Sequence, residues 1–312
     1  MNSNNIELVF DVLDQSATHL FETQQTPYLK GVVLTCENIL AHEIILDTSD
    51  ETDKVLLDLL HKMDNIDFQK EEIRKAIQLC ILKGFKLSKQ SNQEITPDTI
   101  GIFLSYLIKK LIDFEGPMTL FDPLVGTGNL ICTVANNLDK ETLLFGVDHN
   151  LDQVELSKAM FEMMDYGEEV YFQDTLTFWN LASDVLLCDF SNSETEDEMT
   201  YFPYEVIKHH LYNLKPGGFF LGIIYNDFFE QPTNEEFRKY LLESWEILGL
   251  IKLPDSIFKS LGKSILILEK KSNIEYVDKQ FLLADIPSFE DEEAFQKAIY
   301  QINLWFKNRK KV

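Results

Sequence analysis

Two carboxylates, Asp122 and Asp148, stand where chemistry is easiest to build, because each closes an apolar run and the first leads straight into a glycine turn. In Phe121-Asp122-Pro123-Leu124-Val125-Gly126-Thr127-Gly128-Asn129-Leu130, the apolar Leu120 and Phe121 lead in, Asp122 and Pro123 end a strand, and Gly126 and Gly128 bracket a sharp turn. The face Leu130-Ile131-Cys132-Thr133-Val134-Ala135 then begins a helix. Glycine is needed where a Cβ would strike a ligand or forbid positive φ, and the first N–H groups of the helix are open to an acidic ligand group. Taken alone, a Gly-x-Gly turn is equally consistent with a plain tight connection.

Downstream, Leu143-Leu144-Phe145-Gly146-Val147 reads as a second buried strand ending in Asp148, 20 residues after Gly128. An acid there accepts hydrogen bonds from both hydroxyls of a ribose, a spacing that suits dinucleotides and S-adenosylmethionine (SAM) alike. Two details favour SAM. Ile131 replaces the third glycine of the dinucleotide pattern, and Asp122 faces the turn where a pyrophosphate would be repelled. Asp174, two residues past Val170-Tyr171-Phe172, is placed to accept from an adenine amino group, with Leu176 covering the ring and His149 lining the pocket beside Asp148. With Asp189 after a fourth apolar run, four acids fall at successive strand ends, which points to one shared site. His209, His210 and Tyr166 have plainer packing or surface roles.

The elements that must position these residues alternate. Strands are expected over Thr119–Pro123, Leu143–Val147, Glu169–Phe172, Asp184–Asp189, Phe219–Tyr225, Leu248–Leu253 and Ser264–Glu269, with helical stretches between most of them. This pattern predicts an α/β, Rossmann-like sheet of seven mostly parallel strands, with ligands at the strand carboxyl ends. Before it, apolar residues recur at helical spacing in four groups: Leu8 to Leu20, Ile39 to Ile45, Val55 to Leu60 and Ile73 to Ile81. The polar Ser88-Lys89-Gln90-Ser91-Asn92-Gln93 marks a boundary, so an N-terminal helical domain over 1–90 and a SAM-binding domain over 91–312 are expected. Thr96-Pro97-Asp98 suits a helix start, with Thr96 as N-cap and Pro97 at the first helical position.

Composition bounds the function. The chain has 312 residues, 45% hydrophobic, and a net charge of −24, which favours solubility and disfavours unaided binding to a polyanion. Four cysteines at 36, 80, 132 and 188 show no metal-ligand spacing, so neither a zinc site nor a disulfide framework is indicated. No apolar run approaches the ~18 residues that cross a bilayer, so no membrane partner and a cytoplasmic location are expected.

The sequence resembles the N-6 adenine DNA methylase group of class I SAM-dependent methyltransferases. The similarity is closest to the modification subunits of type I restriction systems and to their short YtxK-like relatives. It is carried by Ile95-Thr96-Pro97, by Asp122 through Leu130, by Gly146-Val147-Asp148, and by Leu253-Pro254-Asp255-Ser256-Ile257-Phe258 followed by Ser264-Ile265-Leu266-Ile267-Leu268. It spans about residues 68 to 270. The resemblance implies that Thr96 contacts the methionine carboxylate of SAM, that Asp122 and the Gly126-Thr127-Gly128-Asn129 turn hold the methionine end, that Asp148 takes the ribose and Asp174 the adenine. It also implies an Asn/Asp-Pro-Pro-Tyr/Phe motif after the fourth strand, whose acid or amide and backbone carbonyl bind a target amino group and whose aromatic stacks on the base. Here that motif reads Asp189-Phe190-Ser191-Asn192: the acid stays, the prolines and the aromatic are gone, and the acidic Glu194-Thr195-Glu196-Asp197-Glu198 follows.

The cofactor half of a methyltransferase is therefore complete and the target half altered, with Asp189 and Phe190 the catalytic candidates. Three readings stand: a SAM-dependent methyltransferase acting on an amino group, with DNA adenine implied by resemblance but disfavoured by charge; a SAM-binding protein without catalysis that works through a protein partner; and a nicotinamide-dependent oxidoreductase.

Overall fold

The computed structural model describes residues 1–89, 95–167, 169–190, 200–258, 262–272, 280–288 and 290–309. Among the described residues, five α-helices come first: α1 Ser3–Gln24, α2 Tyr28–Ala41, α3 Asp50–Leu60, α4 Lys70–Ser88 and α5 Asp98–Leu111. Strands and helices then alternate as β1 Met118–Asp122, α6 Asn129–Asn136, β2 Thr142–Asp148, α7 Leu151–Met163, β3 Val170–Phe172, β4 Ser183–Asp189, α8 Phe202–His210 and β5 Leu214–Tyr225. The chain continues through α9 Asn234–Ser244, β6 Trp245–Lys252, β7 Lys263–Lys270, β8 Leu282–Asp285 and α10 Glu292–Asn308. Backbone contacts divide it into two compact units, one of Met1–Ile102, Val125–Leu138 and Gly146–Phe172, the other of Phe103–Leu124, Asp139–Phe145 and Gln173–Val312.

Local chemistry explains the helices of the first unit. Asn2 caps α1 through the Asn4 N–H, and Ser49 caps α3 through the Thr52 N–H with Asp50, Glu51 and Asp53 in its first turn. Glu72, buried near the start of α4, accepts from the Gln69 N–H at 3.1 Å, from Asn5 Nδ2 at 2.8 Å and from the Asn2 N–H, and so ties α1 to α4. The hydrogen bond from Asn5, against the opposing effect of burial, holds its carboxyl below the usual range. Ile44 and Ile45 fall outside a helix, contrary to the periodicity, because α2 stops at Ala41 with His42 left-handed at φ 56°. The Ile45 N–H is taken instead by Asn38 Oδ1 at 3.0 Å. α1 packs on α2 and α4, α2 on α7, and α4 on α6 and α7.

The strands order as β3-β2-β1-β4-β5-β7-β6-β8. β2 with β3, β1 with β4, β4 with β5 and β6 with β8 pair parallel, and β7 lies antiparallel between β5 and β6. Among the described residues, eight strands, not seven, therefore form the sheet. The additional β8 pairs Leu282–Asp285 with Gly249–Lys252. It escapes sequence reading because it has four residues, Leu-Leu-Ala-Asp, whose types do not alternate between apolar and polar. Among the described residues, no helix is long and apolar enough to cross a membrane.

Candidate active site

In the first unit the glycine turn and the end of β2 come together. The Val125 N–H donates to Val147 O at 3.0 Å and the Gly128 N–H to Val125 O at 2.9 Å, which closes the turn. Asp148 Oδ2 accepts from the Gly126 N–H at 3.0 Å, and Oδ1 from the Asn150 N–H at 2.8 Å. Each carboxylate oxygen is thus oriented by one backbone donor, and each keeps lone-pair capacity for another. His149 projects into solvent with its side chain 84% exposed, its Nδ1 lying 3.8 Å from Asp148 Oδ1.

The two turn glycines are both left-handed, φ +52° at Gly126 and +79° at Gly128, but for different surroundings. A Cβ on Gly128 would lie 3.1 Å from Ser157 Cβ and 3.2 Å from Phe161 Cε1, so that glycine lets α7 pack. A Cβ on Gly126 would meet nothing nearer than Gln153 Oε1 at 4.0 Å. That oxygen is buried and has no hydrogen-bond partner among the described residues. The Gly126 position thus has room for a methyl without a clash, beside a buried acceptor that a donor would satisfy.

Thr96, Thr127, Asn129 and Leu130 are all buried. Asn129 opens α6 with its side chain turned inward, Nδ2 donating to Thr96 O at 3.3 Å and Oδ1 accepting from Arg74 Nη1 at 2.5 Å. α6 carries no side-chain cap, its N-cap being Gly128. Arg74 also binds Glu71 and Asp98, and Asp98 in addition accepts from Lys75 and Gln78. Burial pushes the Asp98 carboxyl up, but the hydrogen bonds and charge of Arg74, with Lys75 and Gln78, outweigh it and bring it down to about 2. Sequence reading missed Arg74. The available signal was an arginine three and seven residues before Ile77 and Ile81, on the face those residues bury.

In the second unit, Asp122 is buried at the end of β1, and its Oδ1 accepts from the Leu124 N–H at 3.0 Å, with Pro123 buried between them. Asp174 is exposed and caps the short 3-10 helix Thr175–Thr177 through the Leu176 N–H at 2.9 Å, and Leu176 is half-buried. Asp189 ends β4 opposite Ile223 of β5 and is half-buried. Burial, then the charges of Asp122 and Asp189, pushes the Cys188 thiol well up, so both carboxylates act on the same buried sulfur.

The Phe190 side chain is in the core, 1% exposed, its ring 6.3 Å from that of Phe220. In this conformation the ring presents no face for a base to stack on. Tyr201 is buried as well, edge-on to Tyr204 and Phe228, while Phe202 is half-buried. Ser191, Asn192 and the acidic Glu194–Glu198 lie outside the described residues. A group unforeseen in the sequence, Lys263, stands over the rings of Phe258 at 4.6 Å and Tyr225 at 5.4 Å. Burial lowers its pKa and the Asp189 charge opposes that shift. His210 is structural: buried, it is bonded to Thr175 Oγ1 at 2.8 Å and Asn213 Nδ2 at 2.9 Å.

A Rossmann-like sheet with N-terminal helices, a left-handed glycine turn after β1 and an acid at the end of β2 define a class I SAM-dependent methyltransferase fold. More narrowly, the chain belongs to the N-6 DNA methylase family, which residues 80–311 match, and residues 7–85 match the YtxK N-terminal helical domain. It is 30% identical over 329 aligned residues to YtxK of Bacillus subtilis, itself uncharacterized, covering 99% of this chain and 100% of that one. A crystal structure from Listeria monocytogenes, assigned to class I SAM-dependent methyltransferases, superposes with TM-score 0.87 at 28% identity, covering 98% of this chain and 100% of that one. The methyltransferase subunit of a type I restriction-modification system from Streptococcus thermophilus shares the fold, with TM-score 0.58 at 15% identity over 96% of this chain and 74% of that one.

Proposed function

We propose that the chain binds SAM through Thr96, Asp122, Pro123, Gly126, Thr127, Gly128, Asn129, Leu130, Asp148, His149, Asp174 and Leu176, and transfers its methyl group to an amino nitrogen of an acceptor held at Asp189. The observation that carries this reading is Asp148, whose two oxygens are oriented by the Gly126 and Asn150 N–H groups at the glycine turn. When bound, SAM supplies an electrophilic methyl on a sulfonium, and transfer then depends chiefly on alignment of the nucleophile with it. Asp148 accepts the ribose hydroxyls, Thr96 and the first N–H groups of α6 serve the methionine carboxylate, and Asp174 and Leu176 serve the adenine. Asp189 accepts from the acceptor amine and so directs its lone pair.

The burial of the Phe190 ring favours a second reading, a SAM-binding protein that acts through a partner without transferring the methyl group. One experiment separates the two. The full chain is titrated with SAM and with NAD by calorimetry, then incubated with labelled SAM and DNA, RNA or protein acceptors, and Asp189→Ala is run in parallel. SAM binding with methyl transfer that is lost in Asp189→Ala supports the enzyme. SAM binding with no transfer supports the second reading, and no SAM binding ends both.

A further inference from the structure

A buried side chain of the helical N-terminal region reaches the proposed cofactor site. Arg74 belongs to α4, yet its side chain is 0% exposed. Its guanidinium uses every nitrogen: Nε to Glu71 Oε2 at 2.8 Å, Nη2 to Glu71 Oε1 at 2.7 Å and Asp98 Oδ2 at 2.9 Å, and Nη1 to Asp98 Oδ1 at 3.1 Å and Asn129 Oδ1 at 2.5 Å. Lys75 Nζ lies 3.0 Å from Asp98 Oδ2, so two cations face two carboxylates. A buried guanidinium is tolerated only when its donors are satisfied this fully, and its planar fork fixes the direction of each partner as an ammonium would not.

Two of those partners open helices. Asp98 is the first residue of α5 and Asn129 the first of α6. Asn129 passes the constraint on, because its Nδ2 holds the carbonyl of Thr96. The segments so clamped are the two assigned above to the methionine end of SAM: Thr96 before α5, and the Gly126–Asn129 turn before α6. α4 also packs against α6.

We propose that Arg74 is a positioning residue for SAM: the helical region, through this guanidinium, sets the spacing of Thr96 and the glycine turn. The inference rests on the SAM-binding reading. A merely structural Arg74 would cost stability when replaced but leave the affinity of folded protein unchanged.

The test is calorimetric titration of the full chain with SAM, using wild type, Arg74→Lys and Arg74→Ala, with folding checked by circular dichroism. Arg74→Lys keeps the charge and loses the fork, and it weakens SAM binding about tenfold or more while remaining folded. Arg74→Ala weakens it further, and low-millimolar guanidinium chloride, far below denaturing levels, restores part of the affinity where equal sodium chloride does not. Should Arg74→Ala fail to fold, Asp98→Asn, which lies outside the residues assigned to SAM and gives up the charged partner of Arg74, is read in the same way. Wild type that binds SAM, with folded variants within twofold of it and no guanidinium rescue, overturns this inference alone. Wild type that fails to bind SAM overturns the functional reading beneath it.

Discussion

Alanine at the two turn glycines should separate ligand space from packing space. Both positions are left-handed, so each alanine carries a backbone cost of about 1–2 kcal/mol. At Gly126 that is nearly the whole cost, since the new methyl meets nothing within ordinary contact except Gln153 Oε1 at 4.0 Å. At Gly128 the methyl is pressed between Ser157 Cβ at 3.1 Å, Ser157 Cα at 3.3 Å and Phe161 Cε1 at 3.2 Å, and overpacking adds roughly 1–3 kcal/mol. Urea denaturation should therefore rank Gly128→Ala below Gly126→Ala, and both below wild type. SAM affinity should respond differently: Gly126→Ala stays folded and binds about tenfold or more weakly, because its methyl occupies the space in front of the unsatisfied Gln153 oxygen. Equal loss of stability in the two variants, together with wild-type SAM affinity in Gly126→Ala, would refute the assignment of that space to the cofactor.

Three further outcomes follow from the same geometry. Asp148→Ala removes the proposed ribose acceptor and should weaken SAM binding by about 1–3 kcal/mol in calorimetry, with unchanged affinity counting against its role. Burial, with the neighbouring His209, lowers the His210 pKa from 6.5 to about 3, so the fold favours the neutral ring. That contribution is complete above pH ~6.5 and shrinks as pH falls through the window toward 3, costing about 2 kcal/mol by pH 5, a loss that thermal melts should show in wild type and not in a folded His210→Gln. The isolated chain should methylate adenine in duplex DNA poorly, because the net charge of −24 opposes the polyanion and Phe190 is committed to the core. Robust N6-methyladenine formation from labelled SAM at low salt, lost in Asp189→Ala, would reverse that expectation.

Much of the candidate site was legible in the chain because its parts are local. A strand end, two glycines and a helix start lie within ten residues, and the second acid follows at the distance one helix and one strand require, so periodicity and turn chemistry reveal Asp122, Gly126, Gly128 and Asp148 together. The four N-terminal helices were visible for the same reason, up to their ends, where His42 shows that one left-handed residue can stop an apolar pattern that continues through Ile45. Only the tertiary structure distinguished the two glycines, since the difference lies in which residues of α7 face each one. It alone placed β7 between β5 and β6 and added β8 beside β6, because strand order depends on pairing partners distant in sequence. It turned the ring of Phe190 inward and set Lys263 over Tyr225 and Phe258. Arg74 is the clearest case. Its partners Asp98 and Asn129 are 24 and 55 residues away, and no local pattern shows that one buried guanidinium joins the starts of two helices.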